Sequence, residues 1–167
     1  MFVLGLTGSI GMGKTTAAAM FRCKKVPVYD ADAGVHQLLA PGGAAVPAVG
    51  ATFPGVVRDG GVDRQALGKI VFDDPEALGQ LESVIHPLVR RRQSAFLRSS
   101  ACQRRRLVVL DIPLLFETGG DVNCDAVAVV SAPIYLQRLR VLGRSGMTPE
   151  KFSGILARQM SDLEKRR

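Results

Sequence analysis

The run Gly8-Ser9-Ile10-Gly11-Met12-Gly13-Lys14-Thr15 has the spacing G-x-x-x-x-G-K-[ST], which is a device for holding phosphate. Glycines let a backbone bend until successive N–H groups point at phosphate oxygens. A helix that starts where the loop ends adds partial positive charge. Lys14 can reach the terminal phosphates and the Thr15 hydroxyl can ligate Mg²⁺. The flanks suit the motif: Phe2-Val3-Leu4-Gly5-Leu6 reads as a buried strand, and Thr15 to Phe21, with Ala17, Ala18 and Ala19, as a helix. The chemistry predicted here is the binding of a nucleoside triphosphate.

Asp30-Ala31-Asp32 falls at the carboxyl end of a second apolar strand, where open α/β sheets place their ligands. A carboxylate there can take the proton of an attacking hydroxyl or orient it. It can equally cap the following helix, which carries Val35, Leu38 and Leu39. Asp30 fits the cap better and Asp32 the chemistry. Asp111 ends the run Leu107-Val108-Val109-Leu110, a position that in phosphate-loop proteins contributes to the Mg²⁺ shell; a strand-end carboxylate bonded to nearby N–H groups is the other reading. Arg138, Arg140 and Arg144 lie between the last apolar strand and a Gly-containing turn at 144–147. Arginine gives fixed, bidentate geometry toward phosphate, so their clustering predicts a lid over about 134–150 that closes on the triphosphate, and Arg158 can join it. His86, before Pro87, reads more readily as a hydrogen-bonded structural group than as a catalytic one, and His36 as a surface or packing residue. Cys23, Cys102 and Cys124 are odd in number and lack C-x-x-C spacing, so they are predicted to be reduced, partly buried thiols of a cytoplasmic protein.

Four short apolar segments must position these groups: 2–6, 26–29, 107–112 and 126–130. They are continuous and β-branched, as in a parallel sheet covered on both faces. Helical stretches between them argue for right-handed βαβ connections and a doubly wound α/β fold. Asp74 before Pro75 and Thr148 before Pro149 mark helix starts. In the first of these helices Leu78, Leu81, Ile85 and Leu88 form an apolar stripe, and Pro87 should kink it. The stretch between the second and third strands exceeds what a crossover needs. Loops with a short helix near 45–53 are expected over 41–63, and helices over 64–72 and 75–101. An insertion beside a phosphate loop is a natural seat for a phosphoryl acceptor.

A chain of 167 residues suits one α/β domain. No apolar run approaches the roughly 20 residues of a membrane span, and the amino end has no signal-peptide pattern. The net charge of +7 comes largely from Arg90-Arg91-Arg92, Arg104-Arg105-Arg106 and Lys165-Arg166-Arg167. With no Trp and two Tyr, base-stacking surfaces are poorly supplied, so nucleic acid is not the expected partner. Solvated helix faces and attraction for small anionic ligands account for the charge.

Several segments, taken in order, resemble the dephospho-coenzyme A kinase family: Gly5 to Thr15, Asp30-Ala31-Asp32, His86-Pro87-Leu88, Asp111-Ile112-Pro113-Leu114-Leu115-Phe116-Glu117, and the Arg138-Leu139 and Arg158-Gln159 helices. The resemblance implies a P-loop NTPase fold over 1–167, with a core of 1–34 and 104–167, a helical acceptor-binding insertion at about 35–103 and an arginine lid. It implies transfer of the ATP γ-phosphoryl group to the ribose 3′-hydroxyl of dephospho-coenzyme A, with Mg²⁺. Gly8, Gly11, Met12, Gly13, Lys14, Thr15 and Thr16 would surround the ATP phosphates, and Thr15 and Asp111 would serve the metal. Asp32 would be the base or orienting carboxylate. His86, Arg90, Leu114, Phe116 and Glu117 would lie on the acceptor side, and Arg138 and Arg144 in the lid. Family members usually continue past this region through another strand and a closing helix, so the chain is expected to lack a sheet edge and part of a nucleotide pocket. A nucleoside or nucleotide kinase, and an ATP-binding chain impaired in catalysis, are the alternatives.

Overall fold

The computed structural model describes residues 1–72 and 74–166, so Asp73 and the last arginine of the 165–167 cluster, Arg167, lie outside the described residues. The chain divides into two compact units, Met1–Asp30 with Ser100–Arg167, and Ala31–Ser99.

The first unit is built on four parallel strands: β1 (Phe2–Thr7), β2 (Val28–Asp30), β5 (Leu107–Asp111) and β6 (Ala126–Val129), in the order β2-β5-β1-β6. Register puts Leu4 beside Val109 and Ala126, and Leu6 beside Asp111 and Ala128. Because side chains alternate, Leu4, Leu6, Val28, Val109 and Ala128 share the face covered by α1 (Lys14–Cys23), where Ala17, Ala18 and Phe21 pack on them. The opposite face carries Val108 and Leu110, both fully buried. Helices α6 (Ile134–Leu142), α7 (Pro149–Ala157) and α8 (Asp162–Lys165) complete this unit. The Thr148 hydroxyl caps α7 by accepting from Lys151 N–H.

The second strand begins at Val28 rather than at residue 26. Lys25 has φ +58°, which turns the chain, and Pro27 has no N–H to add to a ladder, although its carbonyl accepts from Val109 N–H at 2.9 Å.

The second unit is helical: α2 (Ala31–Leu39), α3 (Val46–Thr52), α4 (Arg64–Val71) and the 28-residue α5 (Pro75–Cys102), which runs on from the second unit into the first. Leu38, Leu39, Val49, Phe53, Leu67 and Ile85 anchor its own core. Asp74 Oδ1 accepts from Glu76 and Ala77 N–H and so starts α5. The apolar stripe of α5 begins one residue earlier than its sequence suggests: Ala77 is buried while Leu78 is 42% exposed. Leu81, Val84, Ile85 and Leu88 then follow Ala77 at helical spacing. The helix is continuous through Pro87.

The expected loop at 41–63 contains a hairpin, β3 (Val57–Arg58) against β4 (Gly61–Val62). Its two turn residues, Asp59 and Gly60, have φ +50° and +74°, the left-handed pair that a two-residue turn requires. The dipeptide Asp-Gly was the available signal. Cys23 and Cys102 are exposed rather than partly buried; only Cys124 is intermediate. Burial, together with the charges of Asp121 and Asp125, raises the Cys124 thiol above its ordinary pKa. That makes it a poor nucleophile.

Candidate active site

The loop 8–13 runs from the carboxyl end of β1 into α1. Gly11 and Gly13 have φ +78° and +99°, which glycine adopts without strain. A Cβ at Gly11 would also sit 2.5 Å from Val141 Cγ2 and 3.2 Å from the Gln137 carbonyl oxygen. Gly13 is the N-cap of α1 and supplies no side-chain cap, and the first turn holds no acidic residue. The first N–H groups of this helix are therefore left for an anion. Thr15 and Thr16 are exposed in that turn, and Met12 is buried.

Lys14 Nζ lies 2.5 Å from Asp111 Oδ1, with the lysine side chain 16% and the aspartate 4% exposed. Asp111 stands opposite Asp30 in the β2–β5 register, and Arg22 pairs with Asp30 at 3.6 Å. Burial raises the Asp111 pKa; Lys14 opposes that shift and the Asp30 charge adds to it. Of the two sequence readings of Asp111, its side chain is here engaged by the phosphate-loop lysine. Thr15 and Asp111 offer hydroxyl and carboxylate oxygens, the donors that a hard divalent cation takes.

After β5, Thr7 Oγ1 donates to the Pro113 carbonyl at 2.9 Å. Leu114 is exposed, while Phe116 and Glu117 are partly buried. Glu117 Oε1 accepts from Met160 N–H at 2.8 Å and lies 2.8 Å from Lys165 Nζ, whose side chain is fully buried. Burial would raise the Glu117 pKa, but the bonds from Lys165 and Met160 outweigh it and hold the carboxyl below its ordinary value. Lys165 thus belongs to an internal ion pair, not to a solvated basic cluster.

Of the arginines predicted to form a lid, Arg138, Arg140 and Arg144 are all exposed, and Arg140 Nη1 donates to the Gly11 carbonyl at 3.3 Å. Two glutamines outside the phosphate-loop motif also reach the loop. Gln137 Nε2 donates to the Ile10 carbonyl at 2.9 Å, and Ile10 N–H donates to Gln159 Oε1 at 3.1 Å. A signal for Gln137 existed: it stands one helical turn before the fully buried Val141, so it shares a buried face. A cavity of about 650 Å³ adjoins the loop, lined by Ser9, Met12, Ile134, Gln137, Leu156 and Gln159 among others.

In the second unit, Asp32 lies exposed in the first turn of α2, and His86 and Arg90 are exposed one helical turn apart on α5. Arg92 connects these helices by donating to Gln37 Oε1 at 2.5 Å and the Gly34 carbonyl at 3.4 Å. It is partly buried, which corrects its assignment to a solvated cluster.

The family model described as Dephospho-CoA kinase matches residues 2–167. The chain is 63% identical over 166 residues to a dephospho-CoA kinase of Paramagnetospirillum magneticum, covering 99% of this chain and 78% of that one. It is 58% identical to the Rhodospirillum rubrum dephospho-CoA kinase, covering 98% and 78%. The crystal structure of TT1252 from Thermus thermophilus superposes with a TM-score of 0.83 at 38% identity, covering 99% of this chain and 83% of that one. The dephospho-CoA kinase from Campylobacter jejuni superposes with a TM-score of 0.68 at 25% identity, covering 98% and 82%. Among the described residues no helix is long and apolar enough to cross a membrane.

Proposed function

The chain belongs to the dephospho-CoA kinase family, and from that premise we propose that it transfers the γ-phosphoryl group of ATP to the ribose 3′-hydroxyl of dephospho-CoA. The observation that carries this reading is the glycine loop opening onto the uncapped N-terminus of α1, with Lys14 held at its base by Asp111. Phosphoryl transfer asks little covalent chemistry of a protein; it needs positioning and charge neutralisation.

The free N–H groups at the start of α1 cradle the phosphates, and Lys14 leaves Asp111 for the terminal phosphates. The cavity beside Met12 and Ile134 takes the nucleoside end. Arg138 and Arg144, exposed on and just after α6, supply mobile positive charge toward the transferring group, while Arg140 stays with the loop backbone. Thr15 and Asp111 would hold Mg²⁺, which when bound offsets negative charge on the phosphates. Asp32 aligns the acceptor hydroxyl and takes its proton. His86, Arg90 and the Leu114, Phe116 and Glu117 segment serve the acceptor, with Glu117 acting as the anchor of that segment through Lys165 and Met160.

An assay with ATP, Mg²⁺ and a panel of acceptors tests the reading. Phosphate should appear on the 3′-oxygen of dephospho-CoA, read by phosphorus NMR of the product. Transfer to a nucleoside or nucleoside monophosphate, and none to dephospho-CoA, would overturn it.

A further inference from the structure

We infer that Gln137 and Gln159 are positioning residues of the phosphate loop, two side-chain amides that grip the two backbone polar groups of Ile10. Ile10 lies in irregular backbone, so its N–H and C=O have no ladder partners and must find others. Gln159 Oε1 accepts from the N–H at 3.1 Å, and Gln137 Nε2 donates to the C=O at 2.9 Å. A backbone N–H only donates and a carbonyl only accepts, so the orientation of each side-chain amide is dictated by Ile10. The partners are 149 and 127 residues away in sequence.

Both grips are themselves anchored. Gln137 is 3% exposed on α6, one turn before Val141, which packs where a Cβ on Gly11 would go. Gln159 precedes Met160, whose N–H is held by Glu117, and the same carboxylate oxygen is paired with buried Lys165. Met12 N–H is also taken, donating to the Ser9 carbonyl at 3.2 Å. With Ile10 N–H committed to Gln159, the N–H groups of Gly11, Gly13 and the start of α1 are the ones left for the ligand. The segments around the lid thereby set the loop's shape before nucleotide arrives, which removes a reorganisation cost from binding and from the transition state.

This inference rests on the reading of the loop as the nucleotide site, and one experiment separates the two. Binding of a non-hydrolysable ATP analogue is measured by calorimetry, with kcat and the KM for dephospho-CoA, on wild type, Lys14→Ala, Gln159→Met, Gln159→Glu, Gln137→Met and Gln137→Glu. Gln159→Met and Gln137→Met should weaken analogue binding at least fivefold and leave the KM for dephospho-CoA within twofold. The carboxylate variants should then split. Gln159→Glu keeps an acceptor for Ile10 N–H and should bind better than Gln159→Met, whereas Gln137→Glu faces a carbonyl with a carboxylate and should bind worse than Gln137→Met. The added charge is common to both glutamates, but only Gln137 is buried. The Gln159 pair therefore carries the test of bond direction, because repulsion of the anionic analogue by Gln159→Glu would by itself weaken binding. Binding within twofold of wild type in both methionine variants, or the same order at both positions, overturns the inference. Wild type that fails to bind the analogue, or is insensitive to Lys14→Ala, overturns the nucleotide reading instead. Should the buried Gln137 variants not fold, the Gln159 pair decides, together with faster amide exchange over 9–13 in folded Gln159→Met.

Discussion

In the unit built on the four-stranded sheet, the groups proposed to meet phosphate are held by contacts that span the chain: Lys14 by Asp111, Ile10 by Gln137 and Gln159, Gly11 by Arg140. In the helical unit of residues 31–99, Asp32, His86 and Arg90 stand exposed on their helices. There a structural tie runs beside them, from Arg92 to Gly34 and Gln37 of α2. A phosphate cradle works by fixed dipoles and must be set beforehand. Exposed carboxylate and cationic groups can be ordered by the substrate they meet, at an entropic cost taken from binding.

The largest effects expected are in activity. Lys14→Ala should lower both ATP affinity and kcat, the latter by on the order of 10²–10³-fold, the scale of removing one electrostatic donor. Asp32→Asn should lower kcat by a similar factor and leave binding of the ATP analogue intact. Equal losses of ATP affinity in both would erase the division of labour.

Next come the two cores. Leu110→Ala and Leu38→Ala, at residues 0% and 3% exposed, should each cost about 2–5 kcal/mol by loss of burial and cavity formation. Hydrogen exchange sharpens the comparison: Leu110→Ala should first expose amides of β1 and β5, and Leu38→Ala those of α2 and α3.

Arg92→Leu should cost about 1 kcal/mol, since its donors lie at a partly exposed site. It should raise the KM for dephospho-CoA several-fold with the KM for ATP unchanged, as steady-state kinetics on both substrates would reveal.

The smallest effect is one of pH. Glu117 has a folded pKa below its ordinary value, so its ionised form stabilises the fold. That contribution is complete above the ordinary glutamate range and is lost as the pH falls through the folded value. Acid unfolding of Glu117→Gln should therefore fall off less steeply with pH than that of wild type.

Much of the local structure was legible in the chain. Continuous β-branched runs gave the four parallel strands, because strands buried on both faces need no alternation. Asp74-Pro75 and Thr148-Pro149 gave two helix starts, because capping is a matter of three or four consecutive residues. Leu78 misled because an apolar residue beside a stripe is indistinguishable from one within it until the helix is rotated against a core. The Asp59-Gly60 turn went unread because its strands are only two residues each.

The candidate site was legible where chemistry is written in consecutive residues, as in Gly8 to Thr16. It was not legible where a residue serves another across the fold. Gln159 and Arg92 look like ordinary surface polar groups in one dimension, and Lys165 like one more charge in a basic cluster. By itself the sequence determined the phosphate loop, the strands that frame it and the family; those depend on spacing along the chain. Only the tertiary structure decided the order β2-β5-β1-β6 and the partners of Ile10, Glu117 and Asp111. A hydrogen bond between residues a hundred positions apart leaves no periodic trace, and it exists only once packing has brought its two ends within 3 Å or so of each other.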